Sequence, residues 1–386
     1  MEKNSNAKLR ELQDQLHRIC SRHGIDCDEE NFKVLVMHLV LGDARDFDIL
    51  PRIQGPRTKA MELRPRDVKD EREGSLVSTC CSQFEDAFRE PSKAFGPDVP
   101  SAWPKVDLDF RCFDRDCFPL MEPGRFSLEH ILRPSDEGQH AQIEVLVDHA
   151  ASDTKVVAKR FPRAYLQHSP EVFQQTKPED QLENPWTEIF LALKLGQGPA
   201  RMRGVVPCWG VYRDSRDDVL LMLEWSPGGD LFELASDLGE VGPEREATVA
   251  HLLYSLLNVV TQLHALGIAH GDVSAENAIL RVGCGEVEVA LLDFAMALHD
   301  TDLSSVTGAR GKLMYRAPET LGENAVYDAR AADLFACGVV GYVLATGTYP
   351  WQSTAGDCKA YSYVRQHGMK RFLDKRTIAV GSAGTK

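Results

Sequence analysis

The sequence lacks a surplus of positive charge: 44 lysines and arginines stand against 58 aspartates and glutamates, for a formal net charge of -14. A nucleic-acid or anionic-membrane binder needs a basic face, so neither partner is expected. The N-terminus, MEKNSNAKLRELQDQ, lacks the apolar core of a signal peptide. The one long uncharged stretch, Ala247 to Gly271, is interrupted by Thr248, His251, Ser255, Asn258, Gln262 and His264. Those polar groups argue for a buried core helix rather than a membrane span. The 10 cysteines form no paired CxxC set of zinc type. Reduced thiols in the cytoplasm or nucleus are therefore expected. No internal repeat is found.

What is present is the composition of a soluble globular protein, 43% hydrophobic and 26% charged over 386 residues, a length suited to about two domains. Residues 1–42 carry Leu9, Leu12, Leu16 and Ile19 at helical spacing and a second apolar run from Phe32 to Leu41, which predicts two packed helices. Residues 43–125 alternate charge and are rich in proline, and read as a loop-rich extension. From Arg125 the pattern changes. Phe126 to Leu132, Ile143 to Val147, Lys155 to Phe161, Val205 to Tyr212 and Val219 to Glu224 read as strands, with a helix over Pro178 to Leu195 between the third and fourth. After Gly228-Gly229 the chain reads as helical. The clearest helix begins at Pro243-Glu244, with Val249, Leu252, Leu253, Leu256, Leu257, Val260 and Leu263 on one face. A strand-rich block before a helix-rich block predicts an α+β fold of two lobes with a cleft at the hinge.

The chemistry concentrates in HGDVSAEN, His270 to Asn277, and in Asp293 of LLDFA. An acid, an amide five positions later and a carboxylate after an apolar run suit one task. The first can orient a hydroxyl, and the other two can hold a divalent cation between phosphates. Phosphoryl transfer is mostly positioning and charge neutralisation, so it needs such groups.

At this point residues 126–374 resemble a eukaryotic protein kinase, with a small lobe at 126–225, a large lobe at 226–374 and a tail at 375–386. The resemblance rests on ordered motifs. VVAK at 156–159 is similar to the strand-three lysine motif and TEIFLAL supplies Glu188. LEWSPGGD at 223–230 looks like the hinge, HGDVSAEN is similar to HRDLKPEN, and DFA at 293–295 stands for DFG. YRAPE at 315–319, DLFACG at 333–338 and GTYPW complete the set. The resemblance implies ATP and Mg2+ as cofactors and a protein as acceptor. Lys159 would hold the α- and β-phosphates, positioned by Glu188. Asp272 would orient the acceptor hydroxyl or take its proton, and Asn277 and Asp293 would bind the metal. Leu223 would be the gatekeeper, the Glu224 carbonyl and Ser226 amide would bond adenine, and Val145, Val157 and Ile279 would enclose it. Asp230 stands where the family places a ribose-binding acid. His270 and Phe294 resemble members of the apolar stack between the lobes, tied down by Asp333. Glu319 of APE is left without the late-helix arginine it pairs with in the family.

Four departures follow from the same comparison. The phosphate-covering loop reads LRPSDEGQHAQIEV, with one glycine at 138, where several would let backbone amides approach phosphates. The loop's usual lysine is Ser274, and Lys312 stands where serine/threonine kinases place a threonine near the aspartate. Lys312 is expected either to replace the lost cation or to pair with Asp272 and block it. Gly271 replaces an arginine that binds activation-segment phosphate in many kinases, although Ser304, Ser305 and Thr307 lie in that segment. The sequence runs about one helix past DLFACG, so apolar surface on the large lobe is expected. Three readings stay open: an active protein kinase of serine/threonine kind, a pseudokinase used for binding or scaffolding, and a small-molecule kinase of aminoglycoside or choline type, whose signature HGDxxxxN matches more literally.

Overall fold

The computed structural model describes residues 114–134, 141–178, 181–198, 201–238, 243–283, 286–322 and 324–376. The helices expected at 1–42, the irregular stretch through 113, the glycine-poor turn at 135–140 and the tail after 376 lie outside the described residues.

Five strands, β1 (Phe126–Arg133), β2 (Gln142–Asp148), β3 (Thr154–Phe161), β4 (Cys208–Arg213) and β5 (Val219–Glu224), pair antiparallel in the order β1-β2-β3-β5-β4. The two faces of β3 part company because side chains alternate along a strand. Val156 and Ala158 point into a core with Leu146, Trp209, Tyr212, Leu220 and Met222. Burying a side chain of this kind contributes about 1.5–3 kcal/mol. Val157 and Lys159 point the other way, and in register Val145, Val157 and Leu223 form one row across three strands.

Between β3 and β4 run α1 (Arg163–Leu166), α2 (Pro170–Thr176) and α3 (Pro185–Gly196). The helix expected from Pro178 starts at Pro185 instead. Asn184 ends the extended approach: its Oδ1 accepts from Trp186 N at 3.0 Å and Thr187 N at 3.3 Å, and Pro185 sets the first turn. A Pro at 178 and a Pro at 185 both satisfy the rule for a helix start, and the cap decides between them. α3 is buried on nearly every side, from Trp186 through Leu195, and the indole of Trp186 donates to Leu166 O at 2.7 Å.

The segment from Asp114 to Arg125, assigned from the sequence to the extension, packs on this lobe. Phe118 is fully buried and stacks on Trp186, and Leu120 bridges to Arg213. Arg125 makes a two-pronged, buried pair with Asp148 at 3.1 and 2.9 Å. Its prolines hide it from a periodicity reading.

The second part is helical: α4 (Leu231–Asp237), α5 (Pro243–Ala265), α6 (Ala329–Thr346) and α7 (Lys359–Lys375), the last kinked at Gly368, with a hairpin of β6 (Ala278–Gly283) and β7 (Glu286–Leu291). Val249, Leu252, Leu253, Leu256, Val259, Val260 and Leu263 bury one face of α5, which packs on α6 and β7. α6 is long and apolar enough to cross a membrane by composition, but 67% of it is buried inside the protein. That is how a core helix reads. Exposed large apolar side chains in this part are Phe232, Leu266, Leu313 and Val326.

One buried carboxylate ties the site loop to this scaffold. Asp333, on α6, accepts from His270 N at 2.8 Å, Gly271 N at 2.9 Å and His264 Nε2 at 2.9 Å. Asp333→Ala leaves two backbone donors without partners, at about 1–3 kcal/mol each. Chemical denaturation should show a loss of ~2–5 kcal/mol; a change below about 1 kcal/mol would contradict the anchoring role.

Candidate active site

Three charged groups meet where β3, α3 and the turn after β7 converge. Lys159 Nζ lies 2.6 Å from Glu188 Oε1 and 3.1 Å from Asp293 Oδ1. Lys159 faces the cleft because it shares the β3 face of Val157, and Glu188 sits in the first turn of α3, where the helix dipole favours an anion. Asp293 adopts φ 65, a left-handed conformation that a non-glycine residue holds only where its surroundings enforce it. A single ammonium cannot neutralise two carboxylates. Burial pushes Glu188 up, to about 8, with Asp293 adding to the shift and Lys159 opposing it. Burial acts on Asp293 in the same sense, but the Lys159 ammonium overrides it and holds Asp293 below the ordinary range. Lys159 is raised: its own burial is outweighed by Asp293 and Glu188.

The loop after α5 supplies the second half. Asn277 Nδ2 donates to Asp272 O at 2.9 Å and to Asp272 Oδ2 at 2.8 Å. Because the amide nitrogen must face those acceptors, its oxygen is turned away from Asp272. The other Asp272 oxygen accepts from Lys312 N at 3.0 Å. Burial raises the Asp272 carboxyl, against the pull of Lys312 and His270. Leu292 N donates to Asn277 O at 3.0 Å, so the hairpin brings Asn277 and Asp293 to one end. An amide oxygen and a carboxylate are hard donors that suit Mg2+, which takes few protein ligands and completes its shell with phosphates and water. Among the described residues, no cluster of three or more His, Cys, Asp or Glu offers a competing metal site.

Lys312 does not form the ion pair with Asp272 that the sequence left open. Its ammonium bonds Ser274 Oγ at 2.7 Å, lies 3.4 Å from Asn277 Oδ1 and 3.5 Å from Glu276 Oε2. Only its backbone touches Asp272.

The residues expected around a base meet through Leu223. Val145, Val157 and Leu223 form the cross-strand row, and Ile279 packs with Leu223, Val206 and Ala290. Glu224 ends β5 and its carboxylate is taken by Arg281, with Nε at 2.6 Å. Ser226 turns its hydroxyl onto Leu280 O. Asp230 is a helix cap here: its Oδ1 accepts from Glu233 N at 2.8 Å. His270 lies 4.9 Å from Phe294 between ring centroids, and its Nε2 reaches Leu292 O at 3.1 Å. Glu319 is raised by burial and has no cation within ion-pair distance among the described residues.

Residues that sequence reasoning missed hold the segment after Asp293. Gly271 has φ +75, and a Cβ there would strike Met296 O and meet the Arg310 stem. Arg310 thus fills the space beside position 271, and its NH1 donates to Met296 O at 3.4 Å and Leu182 O at 3.5 Å. Ala269 and Leu298 exchange backbone bonds, as do Val306 and Tyr327. The sequence signal was an arginine lost at 271 and one present at 310, too far apart to connect without the fold.

The raised Glu188 has a consequence for stability. Its folded value, about 8, lies above the ordinary 4.5, so the folded form holds a proton that the unfolded form has released. Stability from this group is present below pH ~4.5 and is lost as pH rises toward ~8. Thermal melting of the nucleotide-free protein should show the wild type losing ground to Glu188→Gln across that window; parallel curves would refute the assignment.

The family model for the protein kinase domain matches residues 169–381, more than half of the 386 residues. Serine/threonine-protein kinase GIN4 of Saccharomyces cerevisiae is 30% identical over 155 residues, 40% of this chain and 13% of the relative. MAP kinase-activated protein kinase 2 of Homo sapiens is 32% identical over 170 residues, 44% of this chain and 41% of the relative. Serine/threonine-protein kinase SRK2J of Arabidopsis thaliana is 32% identical over 132 residues, 34% of this chain and 38% of the relative. The chain therefore spans less than half the length of each. With more than half of its own length matched by the family model, the chain belongs to the eukaryotic protein kinase superfamily.

Proposed function

We propose that the chain is an ATP- and Mg2+-dependent protein kinase of serine/threonine type, moving the γ-phosphoryl group of ATP to a protein hydroxyl. The observation that carries this reading is the assembled polar set: Lys159 within 2.6 Å of Glu188 and 3.1 Å of Asp293, and Asp272 bonded to Asn277 at 2.8 Å. In this reading Val145, Val157 and Ile279 enclose the adenine, with Leu223 behind it. The Glu224 carbonyl and Ser226 amide bond its edge, and Asp230 faces the ribose. Lys159 holds the α- and β-phosphates, oriented by Glu188. Asn277 and Asp293 would hold the metal, which when bound neutralises phosphate charge. Asp272 orients the acceptor hydroxyl and receives its proton, a role its raised carboxyl suits. A protein acceptor, rather than an aminoglycoside or choline, is supported by the family match and by the APE and DLFACG segments.

The test is labelled-phosphate transfer from ATP with Mg2+ to basic protein and to the chain itself. Asp272→Asn should abolish transfer, by about 10³-fold or more, while leaving the thermal shift by Mg·ATP in place. Binding without transfer in the wild type would favour the pseudokinase reading. The activation segment is held by backbone pairing and by Arg310. Replacing Ser304, Ser305 and Thr307 together by alanine should therefore leave transfer within about threefold of wild type; loss of transfer would show that a phosphate is needed.

A further inference from the structure

The site is short of positive charge where the terminal phosphate of ATP would arrive. Asp272, Glu276 and Asp293 contribute three carboxylates, and Lys159 is already shared by Glu188 and Asp293. Charge spreads over the γ-phosphoryl oxygens during transfer, and a cation aimed at them from a partly dry site is among the largest available effects.

Lys312 is placed for this. Its ammonium rests on Ser274 Oγ at 2.7 Å and beside Asn277 Oδ1 at 3.4 Å, so it lies between two residues that follow Asp272 on the loop. Its own N–H fixes Asp272 Oδ1 at 3.0 Å. The approach depends on Gly311, which has φ +81 and where a Cβ would sit 3.0 Å from Gly271 O and 3.1 Å from Asp272 Oδ1. The ion pair with Glu276, at 3.5 Å and with both side chains about one-third exposed, is too weak to hold the ammonium against a triphosphate.

We infer that Lys312 is the γ-phosphate cation of this kinase, reaching the site from the segment after Asp293, with Ser274 as the rest that sets its height. Ser274 and Lys312 then divide between them, in exchanged positions, what one lysine on the catalytic loop supplies in other kinases. The acceptor oxygen bonds to the γ-phosphorus as the bond to the β–γ bridging oxygen breaks. ADP departs with that electron pair, Asp272 takes the hydroxyl proton, and Lys312 stays protonated throughout. This inference rests on the kinase reading above, and the experiment separates the two.

Two measurements are made on the full chain, with melting without nucleotide as the control for folding. The first is steady-state transfer by wild type, Lys312→Met, Lys312→Thr, Lys312→Arg and the exchange variant Ser274→Lys with Lys312→Thr. The second is calorimetric binding of Mg·ATP and Mg·ADP to wild type and Lys312→Met. Lys312→Met should lose about 10²-fold in kcat with a smaller change in KM for ATP. Lys312→Arg should retain part of the rate, and the exchange variant should recover at least about tenfold over Lys312→Thr. ATP should lose affinity while ADP does not. A kcat for Lys312→Met within about twofold of wild type, or an equal loss for ATP and ADP, overturns the inference and leaves the kinase reading standing. A wild type that transfers nothing but loses its ATP-over-ADP preference in Lys312→Met sinks the kinase reading and keeps Lys312 as a γ-phosphate ligand. A wild type that binds neither nucleotide overturns both.

Discussion

One ammonium group held between two carboxylates ties together the elements that surround the site. Lys159 comes from the sheet, Glu188 from the buried helix beside it, and Asp293 from the far side of the β6–β7 hairpin. Their contact fixes α3 against the sheet and fixes the sheet's open face over the hairpin. With Glu188 raised to about 8, the cluster reaches balance at neutral pH by keeping a proton on that carboxyl.

The Asp333 carboxylate plays the complementary part in the helical lobe. It takes two backbone donors from the loop before Asp272 and so converts the rigidity of α6 into a fixed position for that loop. Asp272 is then held by neutral donors on both oxygens, Asn277 on one side and the Lys312 backbone on the other. A carboxylate held by neutral donors keeps more of its basicity than one locked to a cation. That distinguishes the observed arrangement from the blocking ion pair that the sequence left open.

Much of this could be read from the chain alone. The strands from 126 to 224 were legible because β3 and β5 alternate or run apolar between polar turns, and α5 because its apolar face repeats over about four turns. Lys159, Glu188, Asp272, Asn277 and Asp293 were each picked out by motif, and the fold brings them together. The start of α3 was misread because two prolines each satisfied the rule and only the Asn184 side chain chooses between them. The packing of Phe118 on Trp186 was invisible because a single anchoring ring has no period. The side-chain partners of Lys312 were also hidden. Spacing along a sequence tells which residues approach, but not which of several acceptors within reach receives the hydrogen bond.

Gly271 and Arg310 illustrate what such an arrangement does to later change. The carbonyl of Met296 and the stem of Arg310 occupy the volume that any side chain at 271 would require. A single replacement at 271 therefore meets a filled space, and a single replacement at 310 opens a hole beside a glycine. Any route from this loop to one bearing a side chain at 271, by natural drift or by design, has to shift the Met296 carbonyl as well as clear the Arg310 stem.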